Sequence, residues 1–213
     1  IDAAVSSANY QGGYGLVQAA KDTEYREKDK VLYCLDAGML AHYSQNWPDS
    51  QKLLGEAEQG IEAAFTKSVS QEVSTYLVND ISREYAGEDY EDIYLNVFNA
   101  LNYYQAGSVE DALVEVRRID NKLKYLSIKY GNAITSAQKS ALEKNQGVPY
   151  DPDAAKTNFT SSALARYMGM LFYRGEGKRD DARIDRDGIK LAFANQPQVY
   201  QFPIPAAGWR RRA

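Results

Sequence analysis

The densest set of chemically capable side chains lies between residues 79 and 92, where Asn79, Asp80, Glu84, Glu88, Asp89, Glu91 and Asp92 follow closely on one another. Neighbouring carboxylates are what general acid–base, glycosidase-type or metal-assisted hydrolysis requires. Asn79, Asp80, Glu88, Tyr90 and Glu91 are therefore a candidate polar segment for a hydrolase-type enzyme or a small-ligand binder. A plainer duty competes for part of it. Gly87-Glu88-Asp89-Tyr90-Glu91 stands at the start of a predicted helix, where acidic side chains accept from free N–H groups and oppose the helix dipole. Capping is the expectation for these carboxylates, and no residue is assigned as catalytic.

Other chemistries lack their parts. The chain has one cysteine, Cys34, and one histidine, His42, so neither an intramolecular disulfide nor a thiolate zinc cluster can form. The two sit eight residues apart on one predicted helix, about 12 Å of rise, too far for a Cys–His dyad. Cys34 falls within the apolar run Val31 to Leu35 and is expected to be a buried structural thiol. Segment 79–92 does not follow the EF-hand pattern. No metal and no cofactor are expected. Tyr10-Gln11-Gly12-Gly13-Tyr14-Gly15 is glycine-rich but lacks the Gly-Lys-Ser/Thr ending of a phosphate loop, and a flexible entry segment is expected there, followed by a helix over 16–27.

Recognition chemistry is better supplied. Seventeen tyrosines include Tyr43, Tyr94, Tyr103, Tyr104, Tyr167 and Tyr173, and tyrosine offers contact area at low entropy cost together with a polar handle. Asn96, Asn99 and Asn102 add amides to the same helix as Tyr94 and Tyr104. A groove lined by Asn and Tyr suits the backbone of an extended peptide.

The elements that must position these residues are helical. Leu32, Leu35, Met39 and Tyr43 recur at steps of three and four, and Pro48 opens a second helix carrying Leu54, Ala57, Ile61 and Ala64. Ile93, Val97, Ala100, Leu101 and Tyr104 form another face, Gly107 is a stop, and Ser108 with Asp111 starts the next helix, whose stripe runs through Ala112, Val116, Ile119, Leu123 and Leu126 to Tyr130. These are helical hairpins near 31–65 and 91–130, and a third lies near 160–194. Gly38, Trp47, Ser50, Leu54 and Ala57 match Ala100, Val109, Ala112, Val116 and Ile119 at one offset of 62 residues, and a looser copy runs through Gly169, Phe172, Gly177, Ala182 and Ile189 with one residue inserted between its helices. The small and large positions are those of a tetratricopeptide repeat. The expected architecture is one all-α domain over 1–213, a tetratricopeptide-like superhelix. Its repeats are interrupted by segments 66–90 and 132–158, with a short helix near 136–145 and an extended tail over 196–213. On that frame His42, Tyr104 and Arg174 occupy one equivalent position facing a concave groove, and His42, Tyr43, Asn96, Tyr104 and Arg174 are the groove candidates.

Whole-chain properties narrow the partners. The 213 residues (23.8 kDa) carry a net charge of −4, which disfavours nucleic acid as a bulk partner, and the terminal Arg210-Arg211-Arg212 is read as a solvated end. No stretch is apolar enough to span a membrane. The chain starts at Ile1 rather than methionine, which leaves room for a leader removed earlier.

Several runs resemble an uncharacterised family of bacterial tetratricopeptide-like proteins, many of them envelope lipoproteins. They are Leu32-Tyr33-x-Leu35-Asp36-x-Gly38-Met39-Leu40-x-His42, Thr66-Lys67-Ser68, Asn79-Asp80, Tyr85-x-Gly87-Glu88-Asp89-Tyr90-Glu91, Asn96, Ala100-Leu101-Asn102-Tyr103 and Ala112-Leu113-Val114-Glu115-x-Arg117-Arg118. Ala165-Arg166-Tyr167-x-Gly169-x-Leu171 and Asp180-Asp181-Ala182-x-Ile184-Asp185 extend the likeness over roughly residues 31–195. Val78, Ile81, Ser82 and Trp209 to Ala213 depart from the pattern, and family members usually continue further. The resemblance implies a helical repeat in the bacterial periplasm or cell envelope, with membrane association only through a lipid on an N-terminal cysteine outside this chain. It implies no activity. The leading expectation is a non-enzymatic adaptor that binds a partner protein or peptide. The alternatives are the small-ligand or hydrolase reading of the polar segment and an architectural, self-assembling subunit.

Overall fold

A computed structural model of the chain describes residues 1–70, 85–123, 125 and 161–203. Among the described residues the structure is all-helical, with no strand. The helices are α1 (Asp2–Ser6), α2 (Tyr10–Ala20), α3 (Lys30–Tyr43), α4 (Trp47–Ser70), α5 (Asp89–Gln105), α6 (109–123), α7 (Ala163–Gly175) and α8 (Arg179–Asn195), with a 3-10 turn at Glu27–Asp29. Asn79, Asp80, the loop 132–158, the helix near 136–145, the end of the second hairpin near 130 and the tail beyond 203 lie outside the described residues.

The chain divides into two compact units, 1–115 and 116–213, the division falling within α6. In the first, α3 is the central element. It buries Val31, Tyr33, Cys34, Leu35, Ala37, Gly38, Leu40 and Ala41, a face too wide for one neighbour, and packs against α2, α4 and α5. Gly38 explains the close α3–α4 crossing, because a Cβ there would stand 2.8 Å from Leu54 Cδ2, and Leu54 is itself fully buried. In the second unit, α7 and α8 pack through Ala163, Met170, Ala182, Ile189 and Ala192, with Phe193 and Tyr200 against them.

Three tight turns share one hydrogen-bond pattern. Gln45 N donates to His42 O and Asn46 N to Ala41 O, as Gly107 N does to Tyr104 O with Ser108 N to Tyr103 O, and Gly177 N to Arg174 O with Lys178 N to Tyr173 O. Each turn has its middle residue in the left-handed region: Gln45 at φ 62°, Gly107 at 84° and Gly177 at 73°. Glycine adopts this conformation freely, whereas at Gln45 the Cβ is strained by ~1 kcal/mol or more. The expected starts are also present: Ser108 Oγ donates to Asp111 Oδ2 at 2.5 Å, and Glu88 with Glu91 forms a capping box at the head of α5.

Five expectations are corrected. Tyr10 to Gly15 is helical rather than a flexible entry: Asn9 Oδ1 accepts from Gly12 N at 3.0 Å to cap α2, and Gly13 lies where a Cβ would approach Leu40 to 3.3 Å. The helix expected over 16–27 stops at Ala20. The second helix of the first hairpin runs on through Ser70 instead of ending near 65. The third turn follows the second at a constant offset of 70, from Tyr103 and Tyr173 to Ala112 and Ala182, so no residue is inserted between α7 and α8 and Met170, not Gly169, stands opposite Ala100. The tail also departs from an extended run at its start. Val199 N and Tyr200 N both donate to Gln196 O, and Tyr200 turns back so that its hydroxyl donates to Ser161 O at 2.9 Å and its ring stacks on Phe193.

Candidate functional site

The candidate site is the aromatic surface that α2, α3 and α5 build in the first unit, backed by a buried polar relay. The relay has a direction. Gly38 O can only accept, so Ser50 Oγ must give its proton to it at 2.8 Å; Ser50 Oγ is then the acceptor for Asn102 Nδ2 at 2.8 Å. This turns Asn102 Oδ1 toward His42 Nδ1 at 2.7 Å. Nδ1 is thus the donor, and the neutral ring keeps its lone pair on Nε2. The three helices α3, α4 and α5 are tied by this chain across 52 and 60 residues of sequence.

Around the imidazole stand aromatic rings. Phe98 lies 4.9 Å from His42 centroid to centroid, Tyr43 5.2 Å and Trp47 5.5 Å, all edge-on, and Tyr10 stacks on Tyr43 at 5.0 Å. Tyr43 remains 48% exposed. On α5 the positions Tyr90, Tyr94 and Phe98 succeed one another at steps of four, one face of a helix, with Tyr90 62% and Tyr94 38% exposed and Phe98 half-buried.

The predicted groove residues are placed very differently. His42 and Tyr43 come together with Phe98; Tyr104 is exposed further along α5; Arg174 is exposed on α7, in the second unit. Asn96 is fully buried at 0% and lines no groove: its Nδ2 donates to Glu58 Oε1 at 3.0 Å and to Glu115 Oε2 at 2.7 Å, while its Oδ1 is buried without a hydrogen-bond partner among the described residues.

The polar segment resolves into structural duties where it is described. Glu88 N donates to Glu91 Oε2 at 2.8 Å, and the same oxygen accepts from Tyr85 Oη at 2.6 Å. Tyr90 is exposed beside them. Glu91 therefore serves the cap and one tyrosine. Two further carboxylates hold tyrosine hydroxyls in the same way, Asp36 with Tyr25 at 2.7 Å and Asp49 with Tyr14 at 2.9 Å. Burial, and then the carboxylate beside it, pushes the Tyr14 hydroxyl up to about 12 and those of Tyr25 and Tyr85 higher still. Burial likewise raises Asp36, against the hydrogen bond from Tyr25, with Glu91 adding to the rise. Sequence spacing carried no signal for these pairs, which join residues 35 and 11 apart.

The buried Cys34 thiol is pushed up to about 11, first by burial and then by Glu56, whose Oε2 lies 3.8 Å from Sγ. At neutral pH it is a thiol, not a nucleophilic thiolate. Among the described residues no group of three or more His, Cys, Asp or Glu side chains is placed to hold a metal ion, and no helix is long and apolar enough to cross a membrane. In the second unit Arg166 Nη1 bridges Asp120 and Asp185, both at 2.9 Å, and Gly169 leaves the room that Asp185 Oδ2 occupies.

No family model, curated relative or solved structure matches the chain. The surface of Tyr10, His42, Tyr43, Tyr90, Tyr94 and Phe98 is thus judged on its own chemistry: aromatic contact area, partly exposed, around one oriented acceptor.

Proposed function

We propose that this protein is a non-enzymatic, tetratricopeptide-like adaptor of the bacterial cell envelope that binds a partner protein or peptide through the aromatic surface of α2, α3 and α5. The observation that carries the reading is the exposure of Tyr43, Tyr90 and Tyr94 on helices whose aliphatic side chains are largely turned inward, with Tyr104 exposed further along α5. Rings held on rigid helices give contact area without further ordering, which favours recognition over catalysis. The repeat reading is supported by the three identically bonded turns and by Gly38 at the α3–α4 crossing. The envelope address, with a lipid attached outside this chain, rests on the family resemblance alone.

Site-specific photo-crosslinking in envelope extracts tests the proposal. Benzoylphenylalanine is introduced in place of Tyr43, Tyr94 or, as a control in the second unit, the exposed Ile184. A discrete adduct formed from Tyr43 and Tyr94 and absent from Ile184 is the expected result. Adducts that are the same from all three positions, or absent from the two tyrosines, overturn it.

A further inference from the structure

Acidic and basic side chains are partitioned between the two units. Residues 1–115 hold 20 Asp and Glu against 7 Lys and Arg, whereas residues 116–213 hold 9 against 18. The whole-chain charge of −4 conceals −13 in the first unit and +9 in the second. The aromatic surface lies wholly in the acidic unit.

Its local composition has the same sign. Neither α2 nor α5 carries a Lys or Arg, and α3 carries only Lys30, at the end away from His42 and Tyr43; that end, with Lys28 O accepting from Tyr85 N at 2.8 Å, lies beside the head of α5 near Tyr90. The first turn of α5 brings Asp89, Glu91 and Asp92 in among Tyr90 and Tyr94. Ring faces are the negative side of the aromatic quadrupole and attract cations. The Asn102–Ser50–Gly38 relay adds a third feature, since it makes His42 Nε2 an acceptor. Charge, ring faces and the oriented imidazole all call for a partner that donates hydrogen bonds and carries positive charge.

We infer that the surface docks a Lys- or Arg-rich polypeptide segment, its ammonium or guanidinium groups against the exposed part of the Tyr10–Tyr43 stack and over Tyr94, and one N–H given to His42 Nε2. This rests on the peptide-binding reading above and adds the charge of the partner to it. An acidic segment is repelled by the first unit, and a neutral one forgoes both the field and the ring faces.

The test uses the whole chain and three labelled ten-residue peptides, alternating Arg-Ala, Gln-Ala and Glu-Ala, read by fluorescence anisotropy at about 50 and about 300 mM salt. The expected result is binding of Arg-Ala alone, weaker at the higher salt. Tyr43→Leu and Tyr94→Leu, which leave the net charge unchanged, should each weaken it roughly two- to fivefold. Circular dichroism checks that the variants stay helical, and Tyr90→Leu, at a position 62% exposed, serves if either does not. Arg-Ala binding that all tyrosine variants retain in full would show a diffuse field without a docking surface, and overturns the inference. Gln-Ala binding equal to Arg-Ala and lost in the variants overturns the charge of the partner while leaving peptide binding intact. Failure of every peptide to bind overturns both. Sedimentation at the lower salt covers the remaining occupant: self-association abolished by the tyrosine variants, with no Arg-Ala binding, would make the partner a second copy of this chain and overturn the inference.

Discussion

Three tyrosine hydroxyls bound to carboxylates give the first unit a distinct response to alkali. A tyrosine whose folded pKa is raised contributes stability that is complete below its unfolded value and lost as pH rises through the folded one. For Tyr14 that window runs from 10.0 to about 12, and for Tyr25 and Tyr85 it extends further. Titration at 295 nm should therefore show a late group of tyrosines, with unfolding free energy falling over the same window; uniform ionisation near 10 would contradict the bonding. Asp36 has the same sign at the other end of the scale. Its folded pKa is raised, chiefly by burial, so its charge opposes folding at neutral pH and acidification through the folded value relieves that. Asp36→Asn keeps an acceptor for Tyr25 and should be at least as stable as wild type at pH 7, as urea unfolding would show. Asn102→Ala acts oppositely. It leaves His42 Nδ1 without its partner and takes from Ser50 Oγ the donor it accepts from, while Ser50 keeps its bond to Gly38 O, and a loss of about 2–3 kcal/mol is expected from equilibrium unfolding.

Helix crossings and turns depend on a few small residues. Gly38→Val drives a branched side chain into Leu54 at the α3–α4 crossing and should cost about 1–3 kcal/mol by overpacking. Gly107→Ala places a Cβ at φ 84° and should cost about 1 kcal/mol or more, although the space around it is open. Gln45→Gly relieves the same strain in the first turn, where φ is 62°, and its thermal midpoint should not fall below that of wild type. Opposite signs at two positions with one hydrogen-bond pattern isolate the backbone conformation from its surroundings. Equal destabilisation by both changes would place the effect in side-chain contacts instead.

Across the whole molecule the charge partition is the dominant electrostatic fact. A compact unit with a net charge of −13 repels itself, and salt screens that repulsion. The thermal midpoint should accordingly rise between about 20 and about 300 mM sodium chloride, where the Debye length shrinks from roughly 20 Å to below 10 Å. A midpoint that falls with salt would mean that attractive pairs outweigh the surplus.

The local elements were legible in the sequence because their causes are local. Steps of three and four marked the helices, Gly107 marked a helix stop, Ser108 with Asp111 and Glu88 with Glu91 marked helix starts, and Gly38 marked a small position of the hairpin. The boundary was less legible in the glycine-rich start of α2, because burial of Gly13 against a neighbour such as Leu40 outweighs intrinsic propensity. Which polar residue faces inward was settled only by the tertiary structure. Asn96 and Tyr94 lie two residues apart on α5, yet one is wholly buried against Glu58 and Glu115 and the other is exposed. A helical period states which residues share a face; the helix that covers the face arrives from 38 or 60 residues away, and its crossing decides whether an amide is packed or presented.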